Sequence, residues 1–130
     1  MKKSGIIHAE LASRLARLRH TDLFVIADSG LPVPATVPVV DLGFRYGLPL
    51  FEDVLRAILE DVTVEAAWAA SEIDAVNPDC AGLLSALLPG FTRFSHADLK
   101  KEVGRAVFIV RTGEARPYAN VILKAGVPFG

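Results

Sequence analysis

The chain has 130 residues, of which 52% are hydrophobic and 22% charged, and its basic and acidic side chains nearly cancel at a net charge of −1. This length and composition predict one folded domain over residues 1–130 and argue against disorder. No basic stripe is present, so we expect no nucleic-acid partner. No apolar run approaches the roughly 18 residues of a spanning helix, so we expect no membrane segment.

The mean hydropathy of +0.38 is high for a short chain without a membrane span. We therefore expect a homo-oligomer that hides apolar surface between its subunits. Cys80 is the single cysteine, which excludes an intrachain disulfide and a cysteine-rich metal site. No apolar stretch of signal-peptide type follows the basic start Met1-Lys2-Lys3, which predicts a cytoplasmic protein.

The first elements predicted along the chain are a helix and two strands. Leu11, Leu15 and Leu18 recur at helical spacing and predict a short amphipathic helix. The continuous apolar run over residues 23–27 predicts a strand covered on both faces, as in a parallel sheet. Residues 37–42 predict a second, short strand.

Helices and strands alternate in the rest of the chain. A helix is predicted from about Phe51 to Glu60, and another begins at Asn77-Pro78, because proline is tolerated in a first helical turn. Residues 62–70 fit either a strand or a helix. Further strands are predicted over residues 91–94, 106–110 and 121–123. This alternation predicts an α/β fold with a largely parallel sheet flanked by helices.

Several polar side chains lie at the ends of the apolar runs, where open α/β sheets place their ligand sites. These residues are His20, Asp28, His96, Tyr118 and Asn120. Each also has a simple structural explanation: a histidine at a helix end, an aspartate that stabilises the turn after it, or ordinary turn residues. From the residues alone, the chain is an α/β domain with a possible His/Asp/Tyr/Asn site.

Motifs for the commoner cofactors are absent from the sequence. The histidines at positions 8, 20 and 96 lack the spacing of helical metal ligands, so we expect no metal site. No phosphate-binding loop, nucleophile elbow or dinucleotide fingerprint occurs. A dinucleotide cofactor is therefore not indicated.

Three segments in one order give a more specific indication. They are His20-Thr21-Asp22, Asp28-Ser29-Gly30-Leu31-Pro32 and Thr112-Gly113-Glu114 with Tyr118-Ala119-Asn120. In this arrangement, which runs the full length of the chain, the sequence resembles the D-ribose pyranase family. In that family the residue before the first His is usually Gly, whereas here it is Arg19.

The resemblance implies a cofactor-independent isomerase that converts the pyranose form of D-ribose to the furanose form. It implies that His20 is the general acid and that Asp28, His96, Tyr118, Ala119 and Asn120 bind the sugar. It further implies rings, typically decamers of two pentamers, with each site completed by a neighbouring subunit. An imidazole suits this chemistry because it can give and take protons near neutral pH.

Two other functions remain open at this stage. L-fucose mutarotases share the His, the Asp and a Tyr-x-Asn segment, and Lys124 is the position that favours them. A non-catalytic sugar-binding ring is the second alternative, for which Arg19 is the only support. Comparing ring-form exchange of ribose and fucose would distinguish these functions.

Overall fold

A six-stranded sheet lies at the centre of the structure, a computed structural model that describes residues 1–130. In chain order the strands are β1 (Leu23–Ala27), β2 (Val39–Asp41), β3 (Val64–Ala70), β4 (Thr92–Phe94), β5 (Phe108–Arg111) and β6 (Val121–Ala125). The helices are α1 (Ala9–Ala16), α2 (Phe51–Asp61), α3 (Ile73–Val76), α4 (Pro78–Leu87) and α5 (His96–Glu102), with a 3₁₀ turn at Val103–Arg105. The single-domain α/β prediction is confirmed.

The sheet is mixed, which corrects the prediction of a largely parallel sheet. Its order is β2-β5-β1-β6-β3-β4, and β6 runs antiparallel to both of its neighbours. The other three pairings are parallel. The reason is the short, helix-free connection over residues 112–120 between β5 and β6, since a parallel return needs a crossover of a dozen or more residues.

Helices cover both faces of the sheet, so the inner strands are apolar at successive positions. On one face, Phe24 and Ile26 of β1 pack with α1, α2 and α4 in the larger core cluster. On the other face, Val25 and Ala27 pack with Leu99 of α5 in a smaller cluster. This two-sided burial explains the unbroken apolar run that predicted β1.

Most predicted elements are confirmed, with small changes of length. Helix α2 begins at Phe51 as predicted, and α4 begins at Pro78, with the Asn77 side chain accepting a hydrogen bond from the N–H of Cys80. The ambiguous segment 62–70 is a strand over Val64–Ala70, because it pairs with β6 on one side and β4 on the other. No helix has the length and apolar character needed to cross a membrane.

His8 and Cys80 both have structural roles. His8 caps α1, since its Nδ1 accepts a hydrogen bond from the N–H of Leu11. Cys80 is buried in α4, and this burial raises the pKa of its thiol to about 12. A thiol of this kind is a small core side chain rather than a nucleophile.

Candidate active site

Asp28 and Asn120 lie side by side at one end of the sheet. Asp28 directly follows β1, Asn120 directly precedes β6, and the antiparallel pairing of Ile26 with Val121 brings them together. The Asp28 N–H donates to Asn120 Oδ1 (2.9 Å), and Asn120 Nδ2 donates to Asp28 Oδ2 (3.1 Å). Asn120 is fully buried, and its two hydrogen bonds hold the half-buried Asp28 in place.

The second carboxylate oxygen of Asp28 is also held within the chain. Its Oδ1 accepts a hydrogen bond from the N–H of Gly30 at 2.9 Å, which is the turn-stabilising role considered from the sequence. Each carboxylate oxygen can accept more than one hydrogen bond. Asp28 is therefore a fixed acceptor that retains capacity for hydroxyl groups of a ligand.

His96 and Tyr118 add two rings to the same end of the sheet. Their ring centroids are 5.0 Å apart in an edge-to-face arrangement. The Nδ1 of His96 is buried and has no hydrogen-bond partner, while its backbone N–H donates to both carboxylate oxygens of Glu72 at 3.1 Å. An unpaired buried ring nitrogen is costly unless a ligand or a neighbouring subunit satisfies it.

The segment Tyr118-Ala119-Asn120 forms a tight turn with a strained first residue. Tyr118 has a φ of +58°, which is uncommon for a residue with a side chain, and the N–H of Asn120 donates to its carbonyl oxygen. Ala119 is fully buried. Strain of this kind is concentrated at binding and catalytic sites. Asp28, His96, Tyr118, Ala119 and Asn120 thus lie in one cluster at this end of the sheet.

The loop that leads to this cluster is organised by Glu114, a residue of the Thr112-Gly113-Glu114 segment to which the sequence analysis gave no role. Its buried carboxylate accepts hydrogen bonds from the N–H of Phe51, the first residue of α2, and from the side chain of Arg116. The hydrogen bonds from Arg116 lower the pKa of Glu114 despite its burial. Leu50, which precedes α2, has a side chain that cannot cap the helix. In the sequence, this missing cap is the signal that a distant acceptor such as Glu114 must bind the first N–H groups of α2.

His20 lies apart from this cluster, in the exposed turn before β1. Its Nε2 is 3.0 Å from Oε2 of Glu65 on β3, and Nζ of Lys124 on β6 is 3.1 Å from Oε1 of the same carboxylate. The hydrogen bonds from His20 and then Lys124 lower the pKa of Glu65. Neither Glu65 nor Lys124 could be assigned to His20 from the sequence, because both contacts join distant strands.

Arg19 stands where the resemblance predicts a Gly, and its φ is not positive. The two residues other than glycine with positive φ are Tyr118 and Thr21, which has a φ of +75° and follows His20 directly. The N–H of Thr21 donates to the carbonyl oxygen of Ala125 at 2.8 Å, which ties this turn to the end of β6. The His20 turn therefore forms without a glycine at position 19.

One chain does not bring His20 and Asp28 together. They lie at opposite ends of β1, which has five residues. At about 3.3 Å per residue the strand is about 16 Å long, more than a single pentose ring can span. The six predicted site residues thus form two groups, with His20 alone at one end of β1 and the other five at the far end.

A cleft of about 700 Å³ lies beside the His20 turn. Its lining includes Thr21, Trp68, Phe94, Asp98 and Lys124, but neither His20 nor Asp28.

No group of three or more His, Cys, Asp or Glu residues is arranged to hold a metal ion. The imidazole and carboxylate groups at the two ends of β1 can donate and accept hydrogen bonds and transfer protons.

Comparison with known proteins shows the family of this chain. The sequence profile of the RbsD / FucU transport protein family matches residues 1–128. This chain belongs to that family. Among its RbsD / FucU relatives, D-ribose pyranase 1 of Rubrobacter xylanophilus is 53% identical over 129 residues, covering 99% of this chain and 100% of that protein. D-ribose pyranase of Streptomyces coelicolor is 48% identical over the same length and coverage.

Two solved structures share the fold of this chain. Bacillus subtilis RbsD complexed with D-ribose is 46% identical and superposes with a TM-score of 0.94, covering 99% of this chain and 100% of that one. The fucose mutarotase of Streptococcus pneumoniae in complex with L-fucose is 23% identical, with a TM-score of 0.82 and 95% of each chain covered. The second likeness shows a common fold only.

Proposed function

We propose that this protein is a D-ribose pyranase, an isomerase that interconverts the pyranose and furanose forms of D-ribose. The proposal rests mainly on its full-length 53% identity with a protein named D-ribose pyranase. The likeness to a structure of RbsD complexed with D-ribose supports it. The two groups of polar residues described above supply the hydrogen bonds and proton transfer that such a reaction needs.

The reaction requires one proton to leave the anomeric hydroxyl and one to reach the ring oxygen. The ring carbon–oxygen bond then breaks, the aldehyde forms, and a different hydroxyl adds to the carbonyl to close the other ring. In the proposal, His20 is the general acid for ring opening. General acid–base catalysis contributes about 10²–10⁴-fold, which suffices for a reaction that also proceeds unaided.

The remaining residues of the site bind and orient the sugar. Asp28 accepts hydrogen bonds from hydroxyl groups, and its fixed carboxylate requires little reorganisation when the sugar binds. His96 Nδ1, buried without a partner, supplies one further polar contact. Tyr118, which is half-buried, contacts the sugar in the proposal, while Ala119 and Asn120, both fully buried, hold the turn behind it.

We further propose that each complete site contains residues from two subunits. The length of β1 keeps His20 away from Asp28 within one chain, so a neighbouring copy must supply His20. Exposed apolar side chains support an assembly, since Phe44 is 80% and Tyr46 82% exposed in the single chain. The proposed assembly is a homodecamer of two pentameric rings in the cytoplasm, and light scattering measures its size.

An L-fucose mutarotase is the second candidate, because Lys124 favours it. The test is NMR exchange spectroscopy on equilibrated D-ribose and L-fucose with catalytic amounts of the protein. Faster pyranose–furanose exchange of ribose, abolished by His20→Ala in an intact assembly, is the expected result. Faster fucose exchange alone would favour the mutarotase. Binding of ribose without acceleration would favour a non-catalytic ring.

A further inference from the structure

The contact between His20 and Glu65 determines which ring nitrogen is protonated. The Nε2 of His20 is 3.0 Å from Oε2 of Glu65. An ionised carboxylate only accepts hydrogen bonds, so Nε2 must be the donor. In the neutral ring, Nδ1 then carries no proton. In the charged ring both nitrogens are protonated, and the proton on Nδ1 is the one that the ring can transfer.

Glu65 is itself held by a second strand. Its other carboxylate oxygen, Oε1, is 3.1 Å from Nζ of Lys124. The two residues lie on β3 and β6, which pair in an antiparallel ladder with Ala66 opposite Lys124. One carboxylate oxygen therefore contacts His20 and the other contacts Lys124, which fixes the plane of the carboxylate.

Resting on the function proposed above, we propose that Glu65 is a positioning residue for His20. It holds the proton on Nε2 and leaves Nδ1 as the nitrogen that exchanges a proton with the sugar. Lys124 orients Glu65 and thereby acts through it. When the charged ring gives its Nδ1 proton to the ring oxygen, the neutral tautomer that results is the one hydrogen-bonded to Glu65.

In a single chain this network is partly open to water. The side chains of His20, Glu65 and Lys124 are 52%, 36% and 34% exposed, and exposed ion pairs are weak. A neighbouring subunit that covers the His20 turn, as the two-subunit site requires, would exclude water and strengthen these hydrogen bonds. The network is therefore arranged to act in the assembled protein.

The test combines ¹⁵N NMR of the His20 ring with exchange kinetics on D-ribose. In the unmodified protein the neutral ring should be in the Nε2–H form. In Glu65→Ala it should become a mixture of tautomers. The maximal exchange rate should fall about ten- to hundredfold, as expected for a misplaced catalytic group, with half-saturation by ribose unchanged. Lys124→Met should cause a smaller loss of the same kind.

The matched control is Glu52→Ala, which removes a carboxylate from another exposed ion pair, that with Arg56 at 3.7 Å. It should leave the rate and the His20 spectrum unchanged. If Glu65→Ala does not assemble, Glu65→Met, which removes the acceptor and keeps the length of the side chain, provides the same readouts. An active parent protein with an unaltered rate and tautomer in the Glu65 variants overturns the positioning role. A parent protein inactive on ribose overturns the proposed function instead, while the ring spectrum still tests the contact.

Discussion

Asn120 and Asp28 are 92 residues apart in the chain and exchange two hydrogen bonds, one through the backbone and one through the carboxylate of Asp28. The resemblance implied that both residues bind the sugar. In the structure Asn120 is fully buried, with both ends of its amide engaged by Asp28. Its main effect is to place Asp28, which is the residue available to a ligand.

Replacing Asn120 by alanine is therefore expected to affect stability and binding together. The N–H of Asp28 would lose its acceptor, and an unsatisfied group of this kind costs about 1–3 kcal/mol. Asn120→Ala should lower the free energy of unfolding by that amount and raise the ribose concentration needed for half-maximal exchange. Urea denaturation and NMR exchange measure the two effects.

The control for Asn120 is Ile58→Val in the core of α2, where Ile58 is fully buried. This change costs about 0.5–1.5 kcal/mol through the lost methylene. It should leave half-saturation by ribose unchanged. If both variants raised the ribose concentration at half-saturation by the same factor, Asn120 would matter only for stability.

Glu114 is expected to make stability depend on pH. Hydrogen bonds from Arg116 hold the pKa of Glu114 below its ordinary value of 4.5. The folded state thus resists protonation where the unfolded chain accepts a proton. The stabilisation is full above the unfolded pKa and is lost as the pH falls through the range down to the folded pKa.

Glu114→Gln should therefore be less stable than the parent protein at neutral pH, by about 1.5–3 kcal/mol for hydrogen bonds to a charged group. The difference should shrink on acidification below the ordinary pKa. Urea denaturation at a neutral and an acidic pH measures it, with Glu60→Gln, an exposed carboxylate on α2, as the control. A difference that is constant with pH would contradict the role of the Glu114 charge.

Much of the fold could be predicted from the sequence because its signals are local. The apolar run of β1 and the start of α2 at Phe51 follow from hydropathy and spacing. The direction of β6 could not be predicted, because an apolar run has no direction and the pairing depends on the segment 112–120. The contacts of His20 with Glu65 and of Asp28 with Asn120 join distant strands, so only the fold reveals them.

Gly113 explains why the motif Thr112-Gly113-Glu114 needs a glycine. A Cβ at position 113 would lie 2.5 Å from the carbonyl oxygens of both Arg45 and Leu48. The backbone of Gly113 also donates to the carbonyl of Pro49 and accepts from the N–H of Gly47. Close approach of two backbone segments, rather than an unusual φ, is the requirement here.

Gly113→Ala should destabilise the protein by about 1–3 kcal/mol, as overpacking does. Gly82 is the matched control, because it lies exposed in α4 and a Cβ there would meet no atom within 4 Å. Gly82→Ala should instead stabilise by about 0.4–1 kcal/mol. Thermal unfolding of both variants measures the contrast, and equal effects would show that the contact at Gly113 is readily relieved.

The proposed two-subunit site predicts that two inactive variants restore each other's activity. In the proposed site, His20→Ala lacks the general acid, which lies at one end of β1, and Asp28→Ala lacks the hydrogen-bond acceptor at the other end. When both chains are co-expressed in equal amounts, some sites take His20 from one chain and Asp28 from its neighbour. About a quarter of the sites should be complete, because each draws two copies independently.

Exchange of D-ribose by the co-assembled protein should therefore recover to about a quarter of the parent rate. Mixing the separately assembled variants without subunit exchange should give none. Co-expression of His20→Ala with the double variant His20→Ala/Asp28→Ala is the control, since no chain then supplies His20. If each site lay within one chain, neither variant could repair the other, and the absence of recovery in an intact assembly would exclude the shared site.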